Sequence, residues 1–203
     1  MKLSEVGDVV LRIETGRSPQ TLERPASDNE PGVLKVSAVS WGKFDPTAAK
    51  AVAGHVELLQ AHTVRCGDLL ISRANTLELV GAVAIAEASY SNRYLSDKIL
   101  RLVLNSEIVD SAYLLYAMRS DRSRRHLQRS ASGTSDSMRN VSQSAILKTL
   151  IPLPSLAEQR RIAASIRKKL DACEEVRRAL AEQIAEVGTL PQRILAAAFG
   201  EAD

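Results

Sequence analysis

The stretch IPLPSLAEQRRIAASI, residues 151–166, changes character at its middle. Pro152 and Pro154 disfavour helix at the residues before them, so Ile151 and Leu153 are predicted extended. Ser155 then stands three residues ahead of Glu158, the S-x-x-E spacing of a capping box. In such a box the Ser155 hydroxyl accepts from the Glu158 N–H, and the Glu158 carboxylate accepts from the Ser155 N–H. The join therefore divides the chain into a domain over residues 1–154 and a helical segment over 155–203.

Between Ala157 and Val187 there is neither proline nor glycine. At ~1.5 Å per residue that helix is ~46 Å long, more than packing on its own domain requires. Its apolar residues are Ile162, Ile166, Leu170, Cys173, Val176, Leu180, Ile184 and Val187, with steps of 4, 4, 3, 3, 4, 4 and 3. The other faces carry charges such as Arg167, Lys168, Glu174, Arg178, Glu182 and Glu186. A narrow stripe near a 3.5-residue period, with charged flanks, is a coiled-coil seam. These eight residues are the expected interface with a partner helix. Gly188 is expected to stop the helix, and Thr189-Leu190-Pro191 to restart a short one.

Ahead of the join the pattern is that of strands. GVLKVSAV (32–39), DLLISR (68–73), LVGAVAIA (79–86) and the end of YLSDKILRLVL (94–104) read as strands, the second and third joined by the turn ANTLE. DSAYLLYAM (110–118) reads as a helix capped by Asp110. The expected fold is an α/β (α+β) globular domain followed by a long coiled-coil-forming α-helix.

Composition narrows the chemistry. Apolar residues are 45% of the chain but aromatics only 3%, so the core is expected to be aliphatic. No apolar run nears the ~20 residues that span a bilayer, and with Glu5 and Asp8 near the N-terminus the expected location is cytoplasmic. Cys66 and Cys173 are expected as buried free thiols. There is no phosphate-binding GxxxxGK[ST] loop and no Asp/Asn-Pro-Pro-aromatic motif of an amino-methyltransferase. His55, His62 and His126 lack the neighbours of a zinc site. Ser135 and Asp136 lack an evident histidine base, and Asp68 and Glu78 lack the lysine of a divalent-metal nuclease. No catalytic residue, metal site or bound cofactor is expected.

One segment is strongly polarised. RSDRSRRHLQRSASGTSDSMR (119–139) holds six arginines against Asp121 and Asp136, a net +4 that exceeds the +3 of the whole chain. Arginine among small hydroxylic residues suits phosphate contacts, and its planar fork can read guanine bidentately. A solvated helix end is the alternative. Three further polar turns, TGRSP (15–19), SAVSWGK (37–43) and SRANT (72–76), follow strand ends and could line one surface with it. The candidate DNA-binding residues are Arg17, Ser18, Trp41, Arg73, Asn75, Arg124, Arg125, Ser135 and Arg139.

Several segments carry a resemblance. IPLPSLAEQRRIAASI resembles the junction of the DNA-specificity subunits of type I restriction–modification systems, where a target recognition domain ends in "PLP-x-L-x-EQ-x-x-I" and runs into a long helix. GTSDSMRNVSQSAILKTLIPLP is similar to the segment just upstream. GDLLISRANTLELVGAVAIA resembles the family's "GD-x-L-x-S-R … G-x-x-A" hairpin, and LAAAFGEAD its usual ending. Members generally carry two recognition domains and two long helices, so a chain with one of each resembles a half-length subunit.

The resemblance implies a homodimer through antiparallel helices, which restores two recognition domains. A lone apolar stripe agrees, because a two-fold pair buries it against itself. It further implies double-stranded DNA with a bipartite, palindromic target as the ligand. The helices would dock a modification methyltransferase subunit and, with it, a restriction subunit. S-adenosylmethionine, ATP and Mg would then be needed only in those partners, and this chain would catalyse nothing. A coiled-coil adaptor without sequence-specific DNA binding is the competing expectation; a cryptic nuclease is a third.

Overall fold

The alternation of the first 104 residues resolves into short strands in a computed structural model that describes residues 2–40, 42–54, 60–135 and 138–200. They are β1 (Leu3–Glu5), β2 (Val10–Thr15), β3 (Thr21–Pro25), β4 (Gly32–Leu34), β5 (Ala49–Val52), β6 (Thr63–Val64) and β7 (Leu69–Ser72). β8 (Ala74–Asn75), β9 (Val83–Ile85), β10 (Tyr90–Tyr94) and β11 (Ile99–Leu104) follow. Helices α1 (Ser111–Arg119) and α2 (Asp121–Arg129) lead to β12 (Ser132–Ser135), β13 (Met138–Asn140), α3 (Gln143–Leu147), β14 (Leu150–Pro152) and α4 (Leu156–Phe199). Two compact units result, Met1–Arg160 and Arg161–Asp203. The mixed α/β domain followed by a long helix is the expected fold class.

Within the first unit the strands form sheets of order β3-β5-β4-β10-β6, β2-β11-β7-β9 and β12-β13-β8, with β1 and β14 as a separate pair. The predicted pairing of DLLISR with LVGAVAIA is present in shortened form, β7 lying antiparallel to β9 with Leu69 opposite Ile85; residues 79–81 belong to the turn, and the first two residues of ANTLE form β8. β7 is buried along its whole length, which explains an unbroken apolar run in place of alternation. Leu69, Leu70, Ile71, Ile99 and Leu100 are all at most 1% exposed. Each contributes about 1.5–3 kcal/mol of transfer free energy, so an aliphatic core needs no large aromatic share.

Arg101 enters this core at the centre of β11. Its guanidinium lies 2.7 Å from both Glu14 of β2 and Asp68 beside β7, and it also donates to the Ala61 and Thr63 carbonyls. Burial raises the Glu14 carboxyl, but hydrogen bonds from Arg101 and Arg12 outweigh it and hold the group below the usual carboxylate range. A charge buried in a sheet is tolerated here because each lobe of the fork meets a carboxylate.

Two expectations are corrected within this unit. GVLKVSAV is a strand only over Gly32–Leu34; Lys35 continues the ladder to the Ala48 carbonyl, and Val36–Ala38 then form a 3-10 turn. The bond from the Ala38 N–H to the Lys35 carbonyl closes that turn, overriding the alternation. Cys66 and Cys173 are exposed, not buried. Cys66 sits in the turn before β7, where its N–H donates to the Ser89 hydroxyl at 2.9 Å.

The junction forms as its sequence dictates. Ile151 is fully buried in β14, opposite Ser4 of β1. The Glu158 N–H donates to the Ser155 hydroxyl at 3.4 Å, which starts α4. Gln159, fully buried, uses its whole amide: Oε1 accepts from the Asp110 N–H at 2.9 Å, and Nε2 donates to the Ile108 and Pro154 carbonyls at 2.9 and 3.0 Å. Asp110 caps α1 as expected, accepting from the Tyr113 N–H at 2.9 Å, and the Tyr113 hydroxyl donates to the Pro152 carbonyl at 2.8 Å. The first turn of α4 is thereby tied to the start of α1.

The second unit is helical to Phe199, and the expected break does not occur: α4 runs through Gly188 and Pro191 for 44 residues in all. Thr189 does not cap a new helix but turns its hydroxyl back to the Glu186 carbonyl at 2.8 Å. Pro191 removes one backbone donor from the ladder without ending the helix. No helix among the described residues is long and apolar enough to cross a membrane.

Candidate nucleic-acid interface

Two of the three predicted polar turns, TGRSP and SRANT, converge on the connection between β10 and β11, residues 95–98. Gly16 makes the first approach possible: a Cβ there would lie 1.7 Å from the Leu95 carbonyl oxygen, so only glycine lets the loop after β2 lie this close. Ser18 then donates its hydroxyl to the Asp97 carboxylate and accepts from the Asp97 N–H at 3.4 Å. Arg17 and Ser18 are thus held at the surface on a pinned loop.

The second turn reaches the same connection from the other side. The Arg73 N–H donates to the Lys98 carbonyl at 2.9 Å, and the Arg73 carbonyl accepts from the Val141 N–H at 2.8 Å. This leads directly into the three-stranded sheet, where Asn75 of β8 stands opposite Arg139 of β13. Asn75 is 7% exposed; its Oδ1 accepts from the Thr76 N–H, and its buried Nδ2 has no hydrogen-bond partner among the described residues. Arg139 donates to the Gly133 carbonyl at 2.6 Å, across a hairpin in which Gly133 adopts φ +133°. Ser135, opposite Met138, is exposed at the hairpin end. Trp41 lies outside the described residues.

The arginine-rich segment forms the helix α2 and ends in the β12–β13 hairpin. Ser120 caps α2, accepting from the Ser123 N–H, and the helix sorts its arginines by face. Arg124 points inward and is 7% exposed; it donates to the Val80 carbonyl at 2.7 Å and the Glu78 carbonyl at 2.9 Å. Burial lowers its pKa to about 10. Arg124 is therefore corrected from a DNA contact to a clamp on the turn after β8. Arg119 acts alike, donating to the Val83 and Gly42 carbonyls, and burial lowers its pKa too.

On the outer face Arg122, Arg125, His126 and Arg129 recur at i, i+3, i+4 and i+7 and line a depression of about 440 Å³ with Ser130. Arg125 donates Nε to the Asp121 carbonyl at 3.3 Å and approaches the exposed Asp121 carboxylate at 3.8 Å, and the His126 ring lies 3.0 Å from the Ala145 carbonyl. Sequence reasoning singled out Arg125 but missed this face as a unit, although its helical spacing was legible. It also missed Lys98, whose backbone joins the turns; the polar SDK between two apolar runs is the signal.

The described residues contain no group of three His, Cys, Asp or Glu side chains able to hold a metal ion. What the surface offers is donors: arginines, an amide and hydroxyls on short, hydrogen-bonded connections. Such a set suits phosphate oxygens and the acceptor edges of bases. The family model for the type I restriction modification DNA specificity domain matches residues 1–186. The chain belongs to that family.

Among its relatives, the type I restriction enzyme EcoEI specificity subunit of Escherichia coli is 26% identical over 85% of this chain and 29% of its own length. The EcoKI specificity subunit of Escherichia coli strain K12 is 26% identical over 84% of this chain and 38% of its own. The HsdS subunit from Thermoanaerobacter tengcongensis shares the fold, with a TM-score of 0.61, 24% identity, and 97% and 48% of the two chains covered. A structure described as underlying complex assembly and conformational transition of the type I R-M system superposes with a TM-score of 0.67 at 25% identity. It covers 100% of this chain and 50% of its own. The chain thus spans half or less of the length of these relatives.

The second unit presents the seam. Leu170, Val176, Leu180, Ile184 and Val187 are 50–71% exposed, Cys173 is exposed, and Ile162 and Ile166 are half-buried. At 3.6 residues per turn all eight fall within a sector of about 120°. The stripe is continuous because no break intervenes in α4.

Proposed function

We propose that this chain is a non-catalytic DNA sequence-specificity subunit. Its recognition surface is built from Arg17, Ser18, Arg73, Asn75, Ser135 and Arg139, with Arg125 on the neighbouring helix. Two copies pair through antiparallel α4 helices and read a bipartite, palindromic duplex target. The pair directs a modification methyltransferase and a restriction subunit, which bring S-adenosylmethionine, ATP and Mg; this chain brings no cofactor.

The observation that carries the proposal is the convergence of two separate polar turns on residues 95–98 through the Ser18–Asp97 and Arg73–Lys98 hydrogen bonds, with the Arg73–Val141 bond joining the second turn to the strand that bears Arg139. Held backbone connections position side chains for base edges better than free loops do. The exposed stripe supports the pairing, since an apolar seam of this length favours burial against its own copy. The test is selection from a randomised duplex library by the full chain, alone and with a methyltransferase partner. Enrichment of a defined sequence is expected. No enrichment in either case, with a partner still bound through α4, returns the adaptor reading.

A further inference from the structure

Beside the converged turns lies an open cleft of about 310 Å³, reached by Ser18 on one side and Met138 on another. Its charged lining is wholly cationic, Lys35, Lys50 and Lys98, over an apolar floor that includes Val33. Strand register explains two of the lysines: Lys50 of β5 stands opposite Val33 of β4, and Lys35 extends that ladder through its N–H to the Ala48 carbonyl at 2.9 Å. Lys98 comes from the β10–β11 connection, where its carbonyl is held by Arg73. Glu23, outside the cleft and 88% exposed, takes Lys50 at 2.9 Å, so Lys35 and Lys98 are the principal cations. Ser96 also lines the cleft; it is 5% exposed, and its hydroxyl has no hydrogen-bond partner among the described residues. A buried hydroxyl left unmatched is destabilising unless a ligand or water meets it.

We infer that this cleft receives a backbone phosphate of the bound duplex. Lysine ammonium groups bind phosphate as compact point charges. The apolar floor suits the adjoining deoxyribose. Lys35 and Lys98 neutralise the phosphate, and the Ser96 hydroxyl is the nearby donor. Anchored there, the strand runs past Ser18, Arg73 and Arg139 with its register set. This inference rests on the DNA reading above and adds to it the residues that hold the backbone.

The test uses the full chain carrying Lys35→Gln and Lys98→Gln, with the methyltransferase partner where wild type requires it, and the selected duplex over a salt series. Loss of this one phosphate contact lowers the slope of log K against log salt by about 0.9. The selected sequence stays the same, because phosphate contacts carry no base information. A variant with the wild-type slope and affinity overturns the cleft while leaving the DNA reading in place. A second arm titrates the chain with inorganic phosphate and follows 13C-dimethylated lysines by NMR. Shifts concentrated at Lys35 and Lys98 are expected; shifts absent or spread over all lysines overturn the site. Shifts there without any duplex binding by wild type overturn both the DNA reading and the backbone source, leaving a site for free phosphate.

Discussion

The two units treat the same aliphatic side chains in opposite ways. In Met1–Arg160, Leu69, Leu70, Ile71 and Leu100 vanish into a core, and even Arg93, Arg101 and Arg124 are buried with their guanidinium groups hydrogen-bonded. In the other unit Leu170, Leu180 and Ile184 remain at least half exposed along one stripe. The first unit buries its apolar side chains and pairs most of its buried polar groups, Asn75 Nδ2 and the Ser96 hydroxyl being exceptions; α4 is left with an exposed apolar seam. The difference teaches where substitutions are expected to act: in the core of the first unit on folding, and along α4 on assembly.

The largest effect is expected from the seam. Leu180→Asp places a carboxylate in the stripe and should convert a particle of twice 22.0 kDa to one of 22.0 kDa by light scattering, with the unfolding of the first unit unchanged. A surviving dimer places the interface elsewhere and breaks the contrast between the units. Next is Arg101→Met, which strands Glu14 and Asp68 without their shared cation and should lower stability by about 3 kcal/mol in chemical denaturation. The same pair sets an acid limit. Because the Glu14 carboxyl is held below its unfolded value of about 4.5, its contribution is complete above that pH and is lost as pH falls through the folded value. Arg101→Met should flatten this acid dependence; an unchanged pH profile argues against the pair.

A smaller contrast lies within α2. Arg124→Ala should destabilise by about 2 kcal/mol by leaving the Val80 and Glu78 carbonyls without their donors. Arg125→Ala should leave unfolding unchanged and weaken DNA binding, with the salt slope reduced by about 0.9. Equal effects of the two on both measurements would erase the distinction between clamp and contact. The smallest change is Ser155→Ala, expected to lower stability by about 1 kcal/mol through the lost cap of α4.

Much of this was legible in the residues. Pro152, Pro154 and Ser155 marked the junction, because proline restrictions and caps are local effects. β7 with β9, and α1 with Asp110, were legible for the same reason. The arginines of residues 119–139 were not, since composition counts charge but not direction. Only the packing of α2 on the turn after β8 turns Arg124 inward while Arg125 faces out. The continuous α4 was not legible because Gly188 and Pro191 are strong stop signals on average, and here the surrounding helix-forming residues override both. The lysine cleft was invisible for a different reason. Lys35, Lys50 and Lys98 come from three segments, and only sheet register and the β10–β11 connection bring them together.

The most direct test of the account is the symmetry of the duplex sequence selected by the full chain together with its methyltransferase partner. The account predicts two identical half-sites in inverted orientation, separated by a spacer of fixed length. A single uninterrupted or asymmetric sequence bound by a two-copy particle would contradict it.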